Sequence, residues 1–139
     1  MQNIIDFEMT IGKKIVYAMF SNNWGSENIT FSEENVLTIY SLGIVPFIRM
    51  MPRTDFQAGE RDPVFTLQRI IDGKFDDDLL RWARDAKKVH IPIIVDFGPE
   101  MNGDWFPWSG KLNGGEKKMG MESARLLMVR KDSGTLIDI

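Results

Sequence analysis

Cysteine is absent from the 139 residues, and histidine occurs once, at His90. A chain without cysteine has no disulfides, no thiolate nucleophile and no cysteine-based zinc site. His90 stands alone before an apolar run and is expected to be structural, which excludes serine triads and histidine-based metal sites. We therefore expect neither a metal nor another cofactor.

Long apolar runs and an excess of positive charge are also missing. No segment approaches the about 20 apolar residues that a membrane-spanning helix needs, so no membrane partner is expected. The 17 basic and 20 acidic residues give a net charge of −3, which does not attract a phosphate backbone, so nucleic acid is not expected either. The N-terminal stretch MQNIIDFEMT lacks the pattern of a secretion signal, which leaves the localisation unknown.

The chain does show a regular alternation of strand-like and helix-like segments. Apolar runs of strand length predict buried parallel strands at 14–20, 44–51 and 91–98. Helices are predicted before Gly12, from the capping-box pair Thr30 and Glu33 to Gly43, before Gly73, and over 79–89. Strands separated by helices in this way predict an α/β fold of βα units around a parallel sheet.

The third predicted strand runs into an aromatic loop, FGPEMNGDWFPWSG, at residues 97–110. Ligands of parallel α/β folds bind outside the carboxyl ends of the strands, which is where this loop begins. Exposed aromatic patches commonly mark binding surfaces. If the strand stayed extended past Gly98, Glu100 would share one sheet face with Ile94 and Asp96. The loop is therefore the candidate binding site.

The residue types in this loop suit a carbohydrate. Indole faces complement the CH-rich faces of pyranose rings, and a glutamate surrounded by aromatic rings has its charged form disfavoured by desolvation, as a general acid requires. Asn102 can bond a sugar hydroxyl or orient Glu100, and Gly103 would allow a tight turn. The alternative is that Trp105 and Trp108 close the end of a core while Glu100 is a solvated turn residue.

The stretch EMNGDWFPW, preceded by a βα pattern that ends in IDGKFDDDLLRWARDAKKVHIPIIVDFG, resembles glycoside hydrolase family 26. This family contains retaining β-mannanases and β-glucanases built on (β/α)8 barrels. The similarity extends from the opening helix to about Gly115 and includes FSNNW, where Phe20 and Trp24 resemble family positions. It implies a secreted parent enzyme that hydrolyses a β-linked polysaccharide or oligosaccharide such as mannan or β-glucan, with Glu100 as the general acid/base at the end of the fourth barrel strand.

The predicted site therefore has one catalytic residue and five that bind substrate. They are Glu100 for catalysis, and Trp105, Trp108, Asn102, Trp24 and Arg49 for binding. Arg49 lies late in the second predicted strand. It either points inward to pair a carboxylate or sugar hydroxyl, or forms an ion pair at the barrel end.

Two features depart from the family pattern. Pro99 stands where the mannanases commonly carry histidine, and only three of eight strands can be placed, resembling the second to the fourth. The family nucleophile, a glutamate near the end of the seventh strand, has no counterpart. Asp96 lies four residues before Glu100, about 13 Å away along an extended strand, whereas retaining enzymes need about 5 to 5.5 Å.

These departures predict a partial barrel domain over 1–115 and a divergent tail over 116–139, with a helix in MESARLLMVR and a short strand in TLIDI. The chain is then a piece of a longer hydrolase or the product of a disrupted gene, and its sheet edges invite self-association. Two other functions remain open: a non-catalytic carbohydrate-binding or pseudo-enzyme domain, and a compact doubly wound binding domain.

Overall fold

The computed structural model describes residues 2–25, 29–55 and 58–114, and these form an α/β fold. Three strands, β1 (Tyr17–Asn23), β2 (Val45–Met51) and β3 (Ile94–Phe97), make a parallel sheet in the order β1-β2-β3. The helices are α1 (Gln2–Ile11), α2 (Glu33–Tyr40), α3 (Leu67–Ile71) and α4 (Asp76–Lys88). The predicted α/β class and parallel sheet are confirmed. The helix and strand predicted in the tail lie outside the described residues.

Some element boundaries differ from those predicted. β1 begins at Tyr17 rather than at residue 14, and β3 ends at Phe97 because Gly98 has a φ of +60° and leaves the extended conformation. The capping box predicted at Thr30 and Glu33 is wrong. The helix begins at Glu33 after Ser32, whose side chain makes no capping hydrogen bond. Apolar composition and N-cap spacing locate these elements but do not fix their ends.

One face of the sheet is covered by helices and holds the core. Ile48 and Met50 of β2 are buried there together with Val36 of α2 and Trp82 of α4. Trp82 also donates a hydrogen bond from Nε1 to Oδ1 of Asn22 at 3.0 Å, which ties α4 to β1. The apolar stripe predicted for α4 packs on this core, with Leu79, Trp82, Ala83, Ala86 and Val89 all in the cluster.

The other face of the sheet, called the open face below, is only partly covered. Tyr17 and Met19 of β1 are 56% and 54% exposed, and Ile94 of β3 is 39% exposed. The prediction that these strands are buried is therefore wrong for one of their two faces. Parallel sheets are normally covered on both faces, so the open face is the unusual feature of this fold.

The loop between β2 and α3 is fixed by the buried carboxylate of Asp62. Oδ2 accepts hydrogen bonds from the Thr54 amide and hydroxyl, at 2.6 and 2.9 Å, and Oδ1 accepts from the amides of Val64 and Phe65, at 2.9 and 2.7 Å. Burial raises the pKa of Asp62, but these hydrogen bonds outweigh it and lower the pKa below its usual value. Asp62 therefore stabilises this loop in its ionised form.

No helix in the described ranges has the length and apolar character required to span a membrane.

Replacing Asp62 by asparagine tests this loop. The amide group cannot accept all four hydrogen bonds, so Asp62→Asn is expected to lower the free energy of unfolding by about 2 kcal/mol at pH 7. Because the folded-state pKa is lowered, the contribution of Asp62 is fully present above the unfolded pKa of about 4 and declines as pH falls through the folded value. Urea unfolding at pH 7 and pH 3 should thus show a smaller difference at pH 3, and an equal difference would contradict the assignment. The exposed Asp104→Asn is the control.

Candidate functional site

Glu100 is placed by a turn that directly follows β3. The Gly98 amide donates to the Met50 carbonyl at 3.0 Å, which keeps the chain beside β2 for one residue beyond the strand. Gly98 and Glu100 then have φ values of +60° and +57°. The chain therefore does not stay extended past Gly98, and Glu100 does not continue the alternation of Ile94 and Asp96. A left-handed φ is costly for a residue other than glycine, and such strain is concentrated at functional sites.

The carboxylate of Glu100 is held by two donors. A terminal guanidinium nitrogen of Arg49 lies 2.5 Å from Oε1, and Trp105 donates from Nε1 to Oε2 at 3.1 Å. The Glu100 side chain is 47% exposed, whereas that of Arg49 is 18% exposed. The predicted enclosure of Glu100 by aromatic rings is therefore wrong. One indole and one guanidinium contact the carboxylate, and each donates a hydrogen bond to one of its oxygens.

Trp105 is the aromatic residue of the loop that reaches the surface, with 42% of the residue exposed. Its ring lies over Gly103, where a Cβ atom would come within 2.6 Å of Cζ2 of the indole. The sequence suggested that Gly103 permits a tight turn. Its backbone φ is not left-handed, and the glycine is needed instead because a side chain would displace the Trp105 ring.

Trp108 and Trp24 are not at the surface, contrary to the prediction that both bind sugar. Trp108 is 3% exposed, stacks on Phe106 with ring centroids 4.6 Å apart, and donates from Nε1 to the Pro99 carbonyl at 2.7 Å. Trp24 is 2% exposed and packs against Phe65, Phe75 and Phe97. Enclosed rings have no free face for a pyranose, so both tryptophans belong to the core.

The remaining loop residues also differ from expectation. Asn102 is exposed and makes no hydrogen bond to Glu100, which is oriented instead by Arg49 and Trp105. Pro99, noted in the sequence for its missing functional group, is buried and accepts the hydrogen bond of Trp108 through its carbonyl. The residue before Glu100 therefore fixes the loop rather than contacting a ligand.

A row of polar side chains crosses the open face beside Glu100. In the parallel register Ser21 lies next to Arg49, and Arg49 lies next to Asp96. The next row toward the amino ends of the strands is Met19, Phe47 and Ile94. The sequence identified Arg49 but gave no role to Ser21 or Asp96. Because side chains alternate along a strand, Asp96 shares a face with Ile94, and the parallel register places Ser21 and Asp96 beside Arg49 on that face.

Arg53, two residues after β2, adds a second guanidinium near the site. Its Nε donates to Oδ1 of Asn23 at 2.9 Å, and its guanidinium lies 5.5 Å from the centroid of the Phe106 ring. Burial lowers the pKa of Arg53. The charge of Asp55 raises it and that of Arg49 lowers it further, so the net shift is downward. Arg53 is thus oriented toward the end of β1.

A separate cavity of about 310 Å³ lies between the Asp62 loop and the aromatic loop, and its lining includes Asp55, Glu60, Asp62 and Pro107. Each oxygen of Asp62 already accepts two hydrogen bonds within the loop, so Asp62 offers no free acceptor to a ligand in the cavity. Within the described residues no three side chains of the usual metal-ligating types are grouped to hold an ion. We assign no ligand to this cavity.

No protein-family model matches the chain, and no curated protein matches it significantly. The resemblance to family 26 therefore stays a prediction that depends on the residues of the loop. The geometry brings together Glu100, Arg49 and Trp105, and it separates Trp24 and Trp108 from them.

The two tryptophans of the loop are expected to respond differently to truncation. Trp108→Ala should lower the free energy of unfolding by about 3 to 5 kcal/mol, as for other buried aromatic residues. Trp105→Ala should cost less than about 1 kcal/mol, because its ring is exposed and makes one hydrogen bond to a half-exposed carboxylate. Urea unfolding of both variants measures the difference. Similar losses of stability would mean that Trp105 belongs to the core.

Proposed function

We propose that this chain carries the acid/base half of a glycoside hydrolase site for a β-linked polysaccharide such as mannan or β-glucan. Glu100 is the acid/base, and Trp105 is the platform on which a sugar ring stacks. One observation carries the proposal. Glu100 lies in the turn after β3, at the carboxyl end of the parallel sheet, and its carboxylate accepts a hydrogen bond from the indole of an exposed tryptophan.

A partial (β/α)8 barrel is the architecture that we propose around this site. Parallel strands with helices on one face are compatible with barrel units, in which helices form the outer layer. The open face would line the barrel interior, so Arg49 and Asp96 would face the substrate cleft. β1, β2 and β3 would then be the second to fourth barrel strands, as the resemblance implies.

The chemistry requires two protonation states of Glu100. As an acid it gives its proton to the glycosidic oxygen while the bond from that oxygen to the anomeric carbon breaks. As a carboxylate it takes a proton from the water that attacks the glycosyl-enzyme intermediate. Arg49 and Trp105 each donate to a different oxygen of Glu100, which leaves each oxygen a lone pair that can carry the transferred proton.

The nucleophile is not assigned to any residue of this chain. Formation of a glycosyl-enzyme intermediate needs a second carboxylate about 5 to 5.5 Å from the first. The family that the sequence resembles takes this residue from a later strand, and nothing in the sequence corresponds to it. We therefore expect this chain by itself to bind sugar without cleaving it.

A second candidate function is non-catalytic carbohydrate binding, and the exposure of Glu100 and Trp105 favours it. The Glu100 side chain is 47% exposed and accepts hydrogen bonds from Arg49 and Trp105. A charged donor, a charged acceptor and an aromatic face are sufficient to bind sugar hydroxyls and a ring, and none of them requires a nucleophile. Hydrolysis by the chain that is lost in Glu100→Gln would exclude this candidate.

Binding of a neutral oligosaccharide should be reported by Trp105. Titration with β-1,4-mannohexaose or cellohexaose is expected to change the tryptophan fluorescence, because the other three tryptophans are buried and remote from solvent. Trp105→Ala should weaken binding at least about ten-fold, which is typical of an aromatic anchor. Calorimetry measures the affinity of this variant, which lacks the reporting ring.

Tyr40→Ala is the matched control for this titration. Tyr40 is 43% exposed, nearly the same as Trp105 at 42%, but it ends α2 at the opposite end of the strands. The control should bind as the unchanged protein does. If neither oligosaccharide binds at millimolar concentration, or if Trp105→Ala binds normally, the proposed sugar site is wrong.

A further inference from the structure

Resting on the proposed function, we infer that Asp96 determines the specificity of this site by accepting hydrogen bonds from hydroxyls of a neutral sugar. It also disfavours sugars that carry a carboxylate. The inference depends on the polar row of Ser21, Arg49 and Asp96, and on the pairing of Arg49 with Glu100.

The position of Asp96 places it inside the proposed cleft. Its Cα is the register partner of the Arg49 Cα, so the two side chains leave the sheet on the same face, about 4.8 Å apart at their bases. Ser21 flanks Arg49 on the other side. The row is therefore about 10 Å across, which is enough for one sugar ring with its hydroxyls.

Asp96 differs from the other carboxylates of this region because it has no partner. Glu100 pairs with Arg49, and Asp104 pairs with Lys111. Asp62 accepts hydrogen bonds from Thr54 within the loop between β2 and α3. No hydrogen bond or ion pair joins Asp96 to another residue in the described part of the chain, and the residue is partly buried. A carboxylate that accepts no hydrogen bond from the described residues keeps its acceptor positions available to a ligand.

The groups of the row match the needs of a sugar ring. Asp96 accepts, the Arg49 guanidinium donates, and the Ser21 hydroxyl does both, so adjacent ring hydroxyls can find partners of either kind. Below the row, toward the amino ends of the strands, Met19, Phe47 and Ile94 provide an apolar floor. Trp105 provides the stacking face beside Glu100.

Charge then decides which sugars are accepted. Asp96 and Glu100 place two negative charges beside Arg49, and the second guanidinium nearby, that of Arg53, is directed to Asn23 and the Phe106 ring. A uronate in the row would bring a third carboxylate to this arrangement without a new cation. Like charges at such distances are strongly disfavoured where water is partly excluded.

The test compares two ligands that differ in one group: β-1,4-mannohexaose, and the β-1,4-linked mannuronate hexamer, which has a carboxylate in place of each hydroxymethyl group. Fluorescence titration should give the unchanged protein at least about ten-fold preference for the neutral hexamer. Asp96→Asn should weaken binding of the neutral hexamer about ten-fold, as expected for loss of a charged acceptor, and bring the ratio of the two affinities close to one. Asp96→Ser, which keeps a small polar side chain, should also weaken binding of the neutral hexamer and bring the ratio of the two affinities closer to one.

Asp104→Asn is the matched control, because it removes one negative charge from the aromatic loop that follows β3, at an exposed residue that is paired with Lys111. It should leave both affinities unchanged. If the unchanged protein prefers the neutral hexamer and both Asp96 variants keep that preference, the role of Asp96 is wrong while the sugar site stands. If the unchanged protein binds neither hexamer, both the role of Asp96 and the proposed function are overturned.

Discussion

The contact between Arg49 and Glu100 is the interaction on which the rest of the candidate site depends. It joins the second strand to the turn after the third, between residues 51 positions apart in sequence. Glu100 has a left-handed backbone, and its side chain reaches Arg49 only because the chain turns away from the strand at Gly98. The same carboxylate accepts the hydrogen bond of Trp105. The ion pair therefore holds in place both the charged groups of the site and its exposed indole ring.

The large residues of the aromatic loop fall into two groups: Phe106 and Trp108 are buried and anchor the loop, and Trp105 is exposed. Phe106 and Trp108 pack with Met51 in a second hydrophobic cluster, and the Pro99 carbonyl completes the hydrogen bonding of the buried indole. This anchored part holds the turn that presents Glu100. Trp105 lies outside the cluster, over a residue that must be glycine to leave room for its ring. A rigid base with one exposed ring is how binding loops are generally built on α/β scaffolds.

Much of the fold could be predicted from the sequence because apolar runs and helical stripes depend on local periodicity. The parallel sheet, the apolar stripe of α4 and the position of the loop at the carboxyl end of β3 all follow from such patterns. The open face could not be predicted in this way. A continuous apolar run is typical of a strand buried on both faces, and the run does not reveal whether a second layer is present.

The site was predicted only in part, because burial of individual loop residues depends on tertiary packing. Trp105 and Trp108 are three positions apart and have the same chemistry, yet one is exposed and the other is buried. The sequence named Arg49 and Glu100 separately, and left open whether Arg49 pairs a carboxylate, binds a sugar or forms an ion pair at a barrel end. It could not show that Arg49 contacts Glu100, because this contact depends on left-handed backbone at Gly98 and Glu100, which the pattern of apolar residues does not reveal.

The most direct test of the central claim observes the indole groups themselves. In a ¹H–¹⁵N spectrum the four tryptophans give four Nε1 signals, which single Trp→Phe variants assign. Saturating mannohexaose is predicted to shift the Trp105 signal, whose N–H contacts Glu100, while the signals of the three buried tryptophans stay in place. The same sugar should leave the Trp105 signal of Glu100→Gln markedly less shifted. If the Trp105 signal does not move, or moves equally without the Glu100 carboxylate, Glu100 and Trp105 do not form a common sugar site.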